Sequence, residues 1–171
     1  MQMRKFRQWV FGWFFLAALL MASGCGNESP GGLTGGPAPE FTITLLDKSS
    51  VSLSALKGRP VLLEFWAPWC PGCVRNIPPL KKIHAVYGDR ILILAASSEQ
   101  GENTVKKFVA EKEIPYSIGL STQKLLTDYK VSGIPRTILI DAKGMVCFSH
   151  VGQITFEMLE GKIKDALPAQ R

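Results

Sequence analysis

The 171-residue chain has little of what staples or metallates a fold: four cysteines and two histidines. Four cysteines are too few for a disulfide framework at this length, so the fold must rest on a hydrophobic core. His84 and His150 have no ligand-like spacing to each other or to the cysteines, so no metal ligand set is expected. A basic stripe with interleaved aromatics is missing too. Lys81-Lys82, Lys106-Lys107, Lys162 and Lys164 fall at the spacing of solvated helix faces, and nucleic-acid binding is set aside. No internal repeat occurs, and no apolar run reaches the roughly 20 residues of a membrane-spanning helix. With 46% hydrophobic and 20% charged residues, the chain reads as one ordinary globular domain.

The N-terminus has the organisation of an export leader. Arg4, Lys5 and Arg7 precede an apolar stretch of 14 residues from Trp9 to Ala22, followed by the small residues Ser23 and Gly24. Ala22-Ser23-Gly24-Cys25 resembles a bacterial lipobox, which implies removal of residues 1–24 and lipidation of Cys25. Without the three leader cations, 17 basic residues face 14 acidic ones, an excess of only +3. Residues 25–38, rich in Gly and Pro, are expected to form a flexible tether, with the domain proper over 39–171. The expected location is a membrane-anchored lipoprotein facing the periplasm or the outer surface of the cytoplasmic membrane. Such compartments lack the cytosolic thiol pools.

Periodicity predicts a hairpin from Phe41–Leu45 and Val51–Leu53, then a strand at Val61–Ala67 that is apolar at successive positions and therefore covered on both faces. A helix is expected from Cys73 to Tyr87, kinked at Pro78. A buried strand (Ile91–Ala96), a helix (Glu102–Lys112), a short strand (Tyr116–Leu120) and a short helix (Thr122–Tyr129) follow. A hairpin over residues 137–151 and a helix from Phe156 to Leu167 close an α/β sandwich.

The chemistry concentrates at Trp69-Cys70-Pro71-Gly72-Cys73, where the buried strand hands over to a helix. Residues i and i+3 share a helix face. Pro71 suits the first helical position, which makes Cys70 the cap residue, with the Gly72 and Cys73 N–H groups directed at its sulfur. A helix N-terminus favours a thiolate, so Cys70 is the expected nucleophile and Cys73 the resolving thiol. Glu64 lies among Val61, Leu62, Leu63, Phe65 and Trp66. A carboxyl group there is desolvated and its pKa raised, which suits a general base for Cys73. The plainer reading is a strand glutamate reaching solvent at an edge. Trp66 is expected in the core and Trp69 beside the site. Cys147 reads as a small buried hydrophobe.

Phe65-Trp66-Ala67-Pro68-Trp69-Cys70-Pro71-Gly72-Cys73 resembles the active-site segment of the thioredoxin superfamily, and Val131-Ser132-Gly133-Ile134-Pro135-Arg136-Thr137 resembles its cis-proline loop. The N-terminal hairpin, the 113–130 insertion and the leader are similar to the membrane-tethered TlpA/ResA-like branch. The resemblance implies a thioredoxin-like fold: a central mixed sheet flanked by helices, with an N-terminal hairpin and an inserted strand–helix element. It implies a thiol–disulfide oxidoreductase whose only cofactor is its own Cys70–Cys73 disulfide. Pro135 would follow a cis bond, and Ile134 would pair with an extended substrate beside Trp69, Pro71 and Gly72.

The implied direction is reducing, from a membrane thiol-electron donor to disulfides in exported proteins such as apocytochrome c, by a monomer tethered through its lipid. Two alternatives remain at this point. One is a peroxidase of peroxiredoxin type using Cys73, although Cys70 occupies the position where that family has a threonine. The other is a copper- or zinc-binding dithiol module. Haem attachment is excluded because Val74 follows the cysteine pair where a histidine is required.

Overall fold

The computed structural model describes residues 32–168. The leader and Cys25 lie outside the described residues. Among those described, no helix is long and apolar enough to cross a membrane. The element order is β1 (Thr42–Thr44), β2 (Ser50–Ser52), a 3-10 turn (Leu53–Leu56), β3 (Val61–Trp66), α1 (Pro71–Tyr87), β4 (Leu92–Ser97) and α2 (Glu102–Glu111). It continues with β5 (Ser117–Leu120), α3 (Gln123–Asp128), β6 (Arg136–Ile140), β7 (Val146–Val151) and α4 (Phe156–Ala166). This is the thioredoxin-like architecture: a five-stranded mixed sheet in the order β5-β4-β3-β6-β7, with β1 and β2 as a separate antiparallel pair.

β3 is central and fully buried. It pairs parallel with β4 and antiparallel with β6. Successive side chains of a strand point to opposite faces, and here both faces are roofed. Leu62 and Trp66 join a cluster with Leu80 and Ile83 of α1, Val105 of α2 and Leu159 and Ile163 of α4. Val61, Leu63 and Phe65 join the opposite cluster, with Ile43 of β1, Leu125 of α3 and Tyr129. Two successive parallel crossovers in one direction, each right-handed, put α1 and α2 on the same face. Glu64, between Leu62 and Trp66, belongs to that helix-covered face.

α1 runs unbroken through Pro78 and Pro79. Each proline removes a backbone donor, yet the buried stripe of Ile77, Leu80, Ile83 and Tyr87 holds the helix on the sheet on both sides of them.

Residues ahead of the expected boundary at 39 also contact the fold. The last part of the supposed tether is packed: Leu33 is buried, Gly35 N donates to Val146 O at 2.8 Å, Val146 N to Gly36 O at 2.9 Å and Ala38 N to Gly144 O at 2.9 Å. β7 is an edge strand, and an edge presents open backbone donors and acceptors. A glycine-rich segment can follow it, with Gly35 at φ +87°, where side chains are unfavourable. Tyr129 then locks the segment with a 2.6 Å hydrogen bond from its hydroxyl to Pro39 O.

The N-terminal pair docks on the other edge, where Leu46 N donates to Ile118 O at 3.0 Å. The approach depends on Gly119, because a Cβ there would collide with Ile43 Cγ2 and stand 2.8 Å from Thr44 O. Gly119→Val should therefore lower the unfolding free energy by about 1–3 kcal/mol, read from urea denaturation. An unchanged midpoint would show that the hairpin does not need this contact.

Candidate active site

The C-terminal end of β3 delivers the chain to α1 at Cys70, and Pro71 occupies the first helical turn. Cys70 is the N-cap: its backbone is extended (φ −92°, ψ 109°) and its Sγ accepts the Cys73 N–H at 3.2 Å. Of the two amides expected at this sulfur, Cys73's is the one that reaches it. Cys70 and Cys73 are joined as a disulfide with Cα atoms 5.3 Å apart. Cys70 is 6% exposed and Cys73 2%, so the first sulfur is the more accessible.

The loop ahead of β6 supplies the opposite wall. The Ile134–Pro135 bond is cis, and the Ile134 carbonyl oxygen lies 3.8 Å from Cys70 Sγ. Gly72 faces the same proline, since a Cβ on it would sit 3.1 Å from Pro135 Cδ. Trp69, 64% exposed, flanks this mouth, whereas Trp66 is buried against the Phe108 ring at 5.6 Å. The structure thus gathers Trp69, Cys70, Pro71, Gly72, Cys73, Ile134 and Pro135 from two segments far apart in sequence.

Glu64 is not at an edge. It is 2% exposed on the central strand, where Asn76 Nδ2 donates to Oε1 at 3.0 Å and the Thr137 hydroxyl meets Oε2 at 2.5 Å. Burial pushes its pKa up from 4.5 to about 7, against the lowering effect of both hydrogen bonds. Asn76 stands one helical turn beyond Cys73, on the same face, which ties the carboxyl to the helix that carries Cys73.

Cys147 lies apart on the edge strand β7, half-buried rather than fully buried, with Sγ 3.4 Å from Leu139 O. The histidines also lie apart from each other. His84 packs edge-on to Tyr116 and His150 stacks on Phe148.

Sequence reasoning missed Asn76, Thr137 and Arg136, all three buried. Asn76 had a signal, being a polar residue on the apolar stripe of α1. Thr137 had a weaker one, two residues past Pro135. Arg136 donates to Ser149 Oγ at 3.0 Å, and burial lowers its pKa.

A dithiol–disulfide at a helix N-terminus, facing a cis-proline loop on a mixed sheet, defines a thiol–disulfide oxidoreductase of the thioredoxin fold. Comparison with known proteins narrows the class. The redoxin family profile matches residues 33–166, and the chain belongs to that family, within its TlpA/ResA-like thioredoxin-superfamily branch. It is 33% identical over 132 residues to the thioredoxin-like protein YneN of Bacillus subtilis, covering 75% of this chain and 78% of that protein. It is 32% identical over 136 residues to the thiol-disulfide oxidoreductase ResA of Bacillus thuringiensis, covering 78% and 79%. Among solved structures, the thioredoxin domain of a thiol-disulfide oxidoreductase from Bacteroides vulgatus superposes with a TM-score of 0.69 at 27% identity, covering 79% of this chain and 98% of that one.

The Glu64 pKa makes stability depend on pH in a definite sense. At low pH both folded and unfolded chains hold the proton. Between 4.5 and about 7 the unfolded chain ionises first, so the folded state binds more protons and stability falls as pH rises. Above about 7 both are ionised and the folded state carries the full penalty, about 3 kcal/mol. Urea melts of the oxidised protein at pH 5 and pH 8 should differ by this order, and Glu64→Gln should abolish the difference. Equal slopes with pH in both proteins would refute the assignment.

Proposed function

We propose that the protein is an exported, lipid-anchored reductant of disulfides in other exported proteins, with Cys70 as nucleophile, Cys73 as resolving thiol and Glu64 as general base. The observation that carries this reading is the Cys73 N–H directed at Cys70 Sγ from the first turn of α1. That placement favours the negative charge of a thiolate on Cys70 over Cys73.

The reduced Cys70 thiolate attacks one sulfur of a partner disulfide. A mixed disulfide forms and the partner's other sulfur leaves as thiolate. Cys73 then gives its proton to the Glu64 carboxylate and attacks the Cys70 sulfur. The Cys70–Cys73 bond closes, and the partner departs with both sulfurs reduced. A base with a pKa near neutrality is suited to that proton transfer. A membrane thiol-electron donor returns the two electrons to the dithiol.

Exposed Trp69 and the Ile134 backbone beside Pro135 offer a surface for an extended substrate, with Pro71 and Gly72 at its floor. Cysteine pairs of apocytochrome c, which must be reduced before haem attachment, are substrates of fitting chemistry. Lipidation of Cys25 would hold the domain near its donor, and docking of residues 33–38 leaves only a short connection between that lipid and the fold.

Insulin-disulfide reduction should be lost in Cys70→Ser, and Cys73→Ser should accumulate a mixed disulfide visible on a non-reducing gel. Retained turnover in Cys70→Ser would overturn the nucleophile assignment. The direction is tested by the reduction potential against a glutathione buffer. The expected value lies towards the thioredoxin end of the scale, about −270 mV, and one near −120 mV would overturn the reductant reading.

A further inference from the structure

The amide of Asn76 is fully buried and has three polar contacts. Its Oδ1 accepts from Ile154 N at 3.1 Å, and its Nδ2 lies 3.0 Å from Glu64 Oε1 and 3.4 Å from Gly152 O. The orientation is dictated by chemistry. A backbone N–H can only donate, so the amide oxygen must face Ile154, which leaves the NH2 group for the two acceptors. An NH2 group cannot receive a proton. Thr137 differs, because a hydroxyl both donates and accepts, and it sits on the other carboxyl oxygen, Oε2.

We propose that Asn76 and Thr137 are the positioning residues of the Glu64 carboxyl: Asn76 reserves Oε1 as an acceptor in every protonation state, and the mobile proton resides on Oε2 against the Thr137 hydroxyl. On ionisation the Thr137 O–H turns and donates to Oε2; on protonation it accepts from Oε2–H. No atom is gained or lost in the exchange, since the proton arriving on Oε2 is the one released by the thiol. The contribution to turnover rests on the reading of Glu64 as base for Cys73. The carboxyl partition itself does not.

The same contacts reach the cis-proline loop. Gly152, whose carbonyl lies by Asn76, donates its own N–H to Pro135 O at 2.9 Å. One side chain thus joins α1, β3 and the turn that supports Pro135.

The titratable neighbours on this face are Cys73 and His84 from α1, Tyr116 from the segment before β5, against which His84 packs, and His150, register-paired with Thr137 on β7. Burial raises the Tyr116 pKa, and the Glu64 charge adds to that rise. His150 spends Nε2 on Gln153 O at 3.0 Å. A His150→Gln background removes the imidazole register-paired with Thr137, and the carbon-specific signal separates Glu64 from His84.

The test follows the Glu64 carboxyl carbon by NMR as a function of pH, alongside the pH profile of mixed-disulfide resolution. Thr137→Val keeps the strand-compatible shape and deletes the hydroxyl; Thr137→Ser keeps it. Thr137→Val should move the carboxyl midpoint up by about one pH unit, about a tenfold fall in the ratio of ionised to neutral carboxyl, while Thr137→Ser stays at the wild-type midpoint. Asn76→Asp replaces a donor with an acceptor at equal size and should raise the midpoint further. Resolution rates should fall in the same order at pH 7 and converge at pH 9. Unmoved midpoints in folded Thr137→Val and Asn76→Asp would overturn the proposal. Shifted midpoints with an unshifted resolution profile would uphold the partition and reject Glu64 as the base.

Discussion

A carboxyl group in the middle of a covered, otherwise apolar strand must be paired, and the groups that pair Glu64 come from two other elements. Asn76 reaches it from α1 and Thr137 from β6. Because Asn76 also holds Ile154 N and lies by Gly152 O, the same polar knot reaches the turn between β7 and α4. A buried carboxyl with unmet partners is costly, so helix, strand and turn are constrained to meet at one point under the cysteines. The pairing is incomplete compensation all the same: desolvation outweighs two hydrogen bonds, and the carboxyl stays close to its titration point.

The dithiol above that knot depends on a second close approach. Gly72 brings the first turn of α1 against Pro135 with no room for a side chain to spare. The cap at Cys70 is local, made by Pro71 and the Cys73 amide, but the cleft is not. Its far wall is the Ile134 carbonyl, and Gly152 N–H on Pro135 O keeps that loop attached to β7. Cys70 is capped by its own helix, and the opposite wall of the cleft comes from a loop more than sixty residues later in the chain.

The sheet edges show how the rest of the chain is used. On one side, Gly119 admits the N-terminal hairpin against β5. On the other, residues 35–38 pair with residues 144–146 where β7 begins, with Leu33 and the Tyr129–Pro39 contact as anchors. Both edges lose part of their open hydrogen-bonding capacity, which suppresses unwanted pairing with other chains.

Much of this was legible from residue order alone. The strand apolar at every position but one, the cysteine pair at its end, Pro71 at the helix start and the period of α1 are all local patterns, and local patterns follow from backbone geometry and i, i+3 spacing. The exceptions are the contacts between segments remote in the chain. Glycine and proline content made residues 33–38 look like a linker, because composition does not say that an open strand edge stands beside them. Asn76 stood out only as a polar residue on an apolar stripe and Thr137 only by its place after Pro135; neither pattern points to Glu64, 12 and 73 positions away. Sheet register set Thr137 opposite that glutamate, and the docking angle of α1 aimed Asn76 at it. By itself, residue order determined the cap at Cys70 and the placing of an acid within an apolar strand; tertiary structure alone decided that this acid is buried and which groups meet it, because such pairing depends on what lies across the sheet rather than on what is next in the chain.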